Sequence, residues 1–481
     1  MNVTYIIGNG FDLNLGLQTS YKDFYAYYIE QYPSIHDEDK VKGNEKEMEI
    51  VKLKKSIENY LRDEKGDKVN TKDANWVNLE LALGQYTKEV ATEELMIDLL
   101  EDIEKELTTY LRTIVDQIQV HEDGYNETIK ELGEFFLHLL SDDNDVHQEH
   151  ASHFSEPIRV KIISLNYTST IEKLLNIPER QDTLDIQMRS LFRKTTYLTG
   201  LYHLHHTLDE DDCILLGVND ESQIANEEFR KNKTLKEFLI KPETNKTLRS
   251  GVARKCQEIM AQSDLFIFFG VSMGCTDKCW WNLIASRLQQ SDSRLIIFAL
   301  DDILKKSSKK RYGQRVDKVI NDFLSHSDLP NEQREYVAER ITVAFNTLLF
   351  HGLRKFINIS SYIKSEATFD YSNNNGRYTI GTGMKSFTTR WGEAGKDSIY
   401  AYDDSGDIEA IGLLNEPTDL DALNIESLNS VDFTSNHRNP QLNDIVIWKN
   451  RHGHFAATKI VEIKIRSLDK VYELKIEYAI Y

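Results

Sequence analysis

The sequence predicts an α/β protein: a parallel sheet that is interrupted by a large helical insertion and followed by an all-β module. Three observations carry this. Short apolar runs such as Val3–Ile7, Leu265–Gly270 and Leu295–Leu300 alternate with helical patterns, as strands buried on both faces of a parallel sheet do. Long charged amphipathic stretches separate the first run from the rest, and beyond about Asn358 the texture becomes alternating polar and apolar residues between Gly, Asn and Asp turns.

Taken in order, Val3–Ile7 breaks straight into a loop holding Gly8, Gly10 and Gly16. Glycines there permit a sharp turn and a close ligand approach, and the peptide N–H groups of such a turn, with a helix start behind it, suit a phosphate. A G-x-G-x-x-G fingerprint would need glycine where Leu13 stands, and there is no Gly-Lys-Ser/Thr of the Walker type. From Asp37 to about Leu140, runs such as EKEMEIVKLKKSIENYLRDEK and EELMIDLLEDIEKELTTYLRTIVDQI space apolar residues three or four apart. The insertion spans about 37–155 and ends in an acidic segment, SDDNDVHQEHASHFSEP, whose His147, His150 and His153 read as belonging to a solvated linker.

Strand signals resume at Arg159–Leu165, Thr196–His205 and Cys213–Gly217, ahead of the two later runs. Helical stretches are expected at Leu248–Gln262, Trp280–Gln290, Asp302–Leu324 and Glu332–Phe356. The expected domains are 1–357 and 358–481.

Composition narrows the function classes. With 78 acidic against 58 basic residues, the formal charge of −20 disfavours broad binding to nucleic acid or to an anionic membrane. No apolar stretch approaches the ~20 residues of a membrane span, and no basic flank marks a signal peptide, so a cytoplasmic protein is expected. The cysteines, Cys213, Cys256, Cys275 and Cys279, are too scattered for a disulfide framework, and Cys275 and Cys279 lack a second pair for zinc, so no metal is expected.

Ligands of α/β sheets sit outside the carboxyl ends of the strands. Four strands there end in polar or glycine signatures: Gly8-Asn9-Gly10-Phe11-Asp12, Ser164-Leu165-Asn166-Tyr167-Thr168, His203-Leu204-His205-His206, and Gly270-Val271-Ser272-Met273-Gly274 followed by Asp277.

The G-x-G, Asp12, Gly16 spacing and the order of the other strand ends resemble the sirtuin NAD-binding site, with Thr168 and His206 as departures. A closer resemblance rests on GNGFD…GL.TSY, W..LE (Trp76, Leu79, Glu80), S.NYT, the histidine motif with its downstream LLG, and FG.S.G..D. Together these are similar to the AbiH family of phage abortive-infection proteins over about residues 1–355.

The resemblance implies a sirtuin-like, Rossmann-like sheet and an antiphage effector that binds NAD⁺ and hydrolyses it to nicotinamide and ADP-ribose. Asn166 would hold a ribose hydroxyl or a water, His205 would be general base with His203 its rival, and Asp12 would stabilise cationic charge or position water. Gly8, Asn9 and Gly10 would cradle phosphate, with Phe11, Gly16, Thr168, Gly270, Ser272 and Asp277 completing the cofactor site. The lack of a zinc ribbon points away from a deacylase. A non-catalytic nucleotide-binding switch and a nuclease are the alternatives. A homo-oligomer, a phage-derived trigger and a sensor or assembly role for the β module are expected.

Overall fold

The computed structural model describes residues 1–64, 78–155, 157–178, 181–208, 214–249, 251–301, 304, 311–359, 363–381, 385–395, 398–414, 420, 423, 425–451, 453–466 and 471–481. They form two compact units, Met1–Asn358 and Ile359–Tyr481.

The first unit is built on a seven-stranded sheet. Strand β1 (Asn2–Ile7) leads into the helices α1 (Gly10–Leu15), α2 (Tyr21–Tyr28), α3 (Glu45–Glu64), α4 (Leu79–Tyr86) and α5 (Glu93–Asp116). A short strand β2 (Ile118–Val120), α6 (Asp123–Gly133) and α7 (Ser141–Ser152) follow, and then β3 (Ile158–Ser164) and α8 (Thr170–Leu175). A hairpin of β4 (Thr183–Leu191) and β5 (Lys194–His203), then β6 (Leu265–Phe269), β7 (Arg294–Ala299) and β8 (Ile341–Phe345), complete the sheet. Its order is β4-β5-β3-β1-β6-β7-β8, with only the β4–β5 pairing antiparallel.

The six parallel strands therefore run third, second, first, fourth, fifth, sixth in chain order. This is the order of doubly wound sheets, in which the chain reverses direction at the first strand and opens a crevice beside it. Residues Val3, Tyr5, Ile7, Val160, Ile162 and Leu265 fill one face; Ile6, Ile163, Phe266, Phe268 and Ile297 fill the other. Burial on both faces is why these strands read as largely apolar runs.

The helical insertion has local causes. Ser20 and Asp23 form a reciprocal capping box at the start of α2, and Thr92 caps α5 by accepting from the Leu95 N–H. Along α5, Leu95, Leu99, Ile103, Leu107 and Leu111 recur on one buried face and join a core with Phe24, Tyr28 and Leu53.

Three expectations are corrected. Ile214–Gly217 forms no strand, although Ile214, Leu215 and Leu216 are buried; Cys213 and Trp76 lie outside the described residues. The stretch expected to continue as helix through Glu332–Phe356 contains β8, whose ITVAF run is a buried edge strand beside β7. The supposed acidic linker is helix α7. His147 and His150 are buried on it, and the His147 Nε2 lies 3.0 Å from the Thr342 hydroxyl of β8.

The second unit is antiparallel β. One sheet orders the strands Ile363–Asp370, Val471–Ile480, Phe455–Arg466, Ile445–Asn450 and Ile408–Leu414, and the other orders Arg377–Ile380, Phe387–Glu393, Ile399–Tyr402 and His437–Arg438. Residues of both sheets share a core around Trp391 and Trp448. Each indole N–H there is satisfied by a neighbouring threonine hydroxyl, from Thr389 and Thr458.

Candidate functional site

The loops that follow β1 and β6 meet at the reversal point of the sheet. The Gly8 N–H donates to the Phe269 carbonyl at 3.0 Å and the Gly10 N–H to the Gly270 carbonyl at 2.9 Å. A Cβ on Gly10 would lie 2.5 Å from the Gly270 Cα, and Gly270 itself has φ +65°. The glycines therefore let two backbones touch. The Gly8 and Gly10 amides, expected to cradle phosphate, are taken by this contact, which departs from that expectation.

Asn9 secures the same loop from its side chain, donating from Nδ2 to the Thr19 carbonyl and accepting from the Thr19 hydroxyl. Phe11 packs in the core against Phe269 and Phe350, and Gly16 ends α1 in the left-handed conformation at φ +89°.

Behind the glycines lies a buried polar cluster. The Thr168 hydroxyl donates to Asp12 Oδ2 at 2.6 Å, while Asp12 Oδ1 is buried and makes no hydrogen bond. Burial is the largest influence on Asp12 and pushes its carboxyl from 3.8 up to about 6, against the opposing bond from Thr168. Asn166 is 5 % exposed, and neither its Oδ1 nor its Nδ2 has a partner. A buried amide with both ends unused costs about 1–3 kcal/mol per group, which marks a place where water or a ligand completes the structure.

Two histidines hold the backbone beside that amide. At the end of β5, His203 Nδ1 donates to the Asn166 carbonyl at 2.9 Å, and its Nε2 meets Glu172 Oε1 of α8 at 2.5 Å. Burial works against the charged ring, but the Glu172 carboxylate outweighs it and the pKa of His203 is raised. Just past the strand, His205 Nδ1 donates to the Leu165 carbonyl at 3.2 Å and Nε2 faces Asp277 Oδ1 at 3.0 Å. Adjacent carbonyls are thus tied by two rings, and neither ring presents a free nitrogen. This departs from the general-base role expected of His205.

The network continues into the insertion. Lys241 donates to Asp277 Oδ1 at 2.7 Å and to both Glu80 carboxylate oxygens at 3.0 Å, and Lys241 and Glu80 are buried. Asp277 is held well below the usual carboxylate range because Lys241 and His205 together overcome its burial.

Of the predicted site residues, Asp12, Asn166, Thr168, His205, Gly8, Asn9, Gly10, Gly270 and Asp277 gather at these strand ends. Ser272 is exposed on its loop, and Phe11 and Gly16 serve the core and the helix end. Sequence reasoning missed Glu172 and Lys241. Glu172 follows Asn166 by six residues, at a helix position where a carboxylate is unremarkable, and Lys241 stands at the head of a KPE run that reads as an ordinary helix start. Among the described residues, no cluster of His, Cys, Asp and Glu has the makings of a metal site. No helix among them is long and apolar enough to cross a membrane.

Residues 4–299 match the family model described as bacteriophage abortive infection AbiH. No match was found among curated proteins.

Proposed function

The chain belongs to the AbiH family of bacteriophage abortive-infection proteins, and from that premise we propose that it binds NAD⁺ in the crevice at the sheet's reversal point and hydrolyses it to nicotinamide and ADP-ribose. The observation that carries this reading is the buried Asn166 amide, with one donor and one acceptor end unused, beside a protonatable Asp12 at the carboxyl edge of a doubly wound sheet.

Cleavage of the nicotinamide–ribose bond passes through an oxocarbenium-like sugar. Water adds to the anomeric carbon as nicotinamide leaves with the bonding pair, and the proton of that water must go to a nearby base. Asp12, ionising at about 6, suits proton exchange near neutral pH and places negative charge by the developing cation. Asn166 would orient the ribose hydroxyl or the water. His205, bonded at both nitrogens, acts here by fixing the Leu165 carbonyl and Asp277 rather than by taking a proton.

The commitment of both histidines also favours a second reading, a nucleotide-binding switch without turnover. Incubating the purified full chain with NAD⁺ and separating the products distinguishes the two. Accumulation of nicotinamide and ADP-ribose supports hydrolysis, binding without products supports the switch, and neither binding nor products excludes both.

A further inference from the structure

We propose that His203 and Glu172 form an imidazolium staple that positions Asn166 for the nucleotide, so that ligand affinity depends on the protonation of a residue that never touches the ligand. This rests on the reading of the crevice as a nucleotide site.

The geometry is that of a clamp across one loop. His203 leaves the end of β5 and reaches two points of the segment that follows β3: the carbonyl of Asn166, where the loop begins, and the carboxylate of Glu172, on the helix where it ends. Both partners accept, so both ring nitrogens must donate, and only the doubly protonated ring can do that. The first anchor is the backbone of Asn166, whose side-chain amide awaits a ligand, and between the two anchors lies Thr168, which holds Asp12. A neutral ring keeps one anchor and releases the other.

The charged groups facing the ring are Glu172 from α8, Asp182 from the segment before β4 and Asp12 from the start of α1. All three are carboxyl groups and favour the cation. Burial of both His203 and Glu172 shields the pair from salt, unlike a surface ion pair.

Sequence alone placed His203 as an alternative general base; its bonding assigns it a positioning role. Asn166 touches the ligand in this account, and His203 and Glu172 act through it.

The test uses the full chain with ¹⁵N-labelled histidine, the signal of His203 being the one lost in His203→Gln. At pH 7.5 the wild-type ring should show both nitrogens protonated, and Glu172→Gln should convert it to a single neutral tautomer. In calorimetry across roughly pH 6 to 9, NAD⁺ affinity of the wild type should fall by about tenfold as the ring deprotonates. Glu172→Gln should show the same fall displaced to lower pH, and Glu172→Asp should restore part of the displacement. A neutral wild-type ring at pH 7.5, or a Glu172→Gln affinity profile superimposable on the wild type, overturns the staple. Absence of NAD⁺ binding at every pH overturns the nucleotide reading instead, and the ring signature, which needs no ligand, then decides the staple alone.

Discussion

At the smallest scale, Asn166 and Asp12 are side chains whose surroundings do not offset their burial. Asn166→Ala removes two unpartnered polar atoms, so the variant should melt no lower than the wild type in a thermal scan, while NAD⁺ turnover should fall by at least ~10²-fold. A structural asparagine would show the opposite pair of results. Asp12 binds its proton more tightly in the folded chain, at about 6, than at its ordinary value of 3.8. Between those values stability falls as pH rises, and above pH 6 the ionised group costs about 3 kcal/mol relative to acid pH. Asp12→Asn should therefore raise the melting temperature at pH 7.5, lose that advantage near pH 4, and abolish turnover, which scans at the two pH values and a product assay would establish.

At the scale of elements, the ion network joining α4 to the loop after β6 should matter more than the surface pairs. Lys241→Met leaves Glu80 and Asp277 buried without their cation and should cost about 3–5 kcal/mol in urea unfolding, whereas breaking the partly exposed Lys130–Glu127 pair should cost less than ~1 kcal/mol. Equal costs would refute the network's role. Helix α7 supplies a second expectation. Burial, reinforced by Arg294 and His150, lowers His147 from 6.5 to about 3. The folded state thus keeps this ring neutral where the unfolded chain would charge it. Its contribution is fully present above pH 6.5 and is lost progressively as pH falls toward 3. His147→Gln should flatten the melting-temperature profile between pH 7 and 5, and an unchanged slope would count against it.

These elements also show what the sequence made legible. The apolar runs announced β1, β3, β6 and β7 because burial on both faces leaves few polar residues in them. The polar strand ends marked the edge of the sheet at which Asn166 and, through His205, Asp277 lie. By contrast, α7 was hidden because its buried face is made of His147, His150 and Ala151 rather than large apolar residues. The hairpin strand β4 is mostly exposed and shows only a short alternation of Leu184, Ile186 and Met188 rather than an apolar run. The glycines were visible, but whether their amides faced a ligand or another loop depended on Gly270, some 260 residues away. Glu172 and Lys241 escaped for a related reason, since their partners are distant in sequence and close only in the fold.

For the whole molecule, the two units have separate cores: the clusters around the parallel sheet draw on residues up to Ile357, and those of the β module begin at Ala367. A chain of residues 1–358 should therefore fold, with a cooperative melt of its own. If the β module restrains or triggers the effector, this truncation should be either constitutively toxic or unresponsive to phage in a growth assay. A folded truncation that behaves as the full chain does would remove any regulatory role from the module.

The central claim is that the crevice beside β1 is completed by a nucleotide held on Asn166. The most direct measurement is a crystal structure of the full chain with ADP-ribose. The account predicts the ligand at the carboxyl ends of β1, β3 and β6, with a ribose hydroxyl within hydrogen-bond distance of the Asn166 amide and close to Asp12. A ligand bound elsewhere, with only an internal water on Asn166, would contradict it.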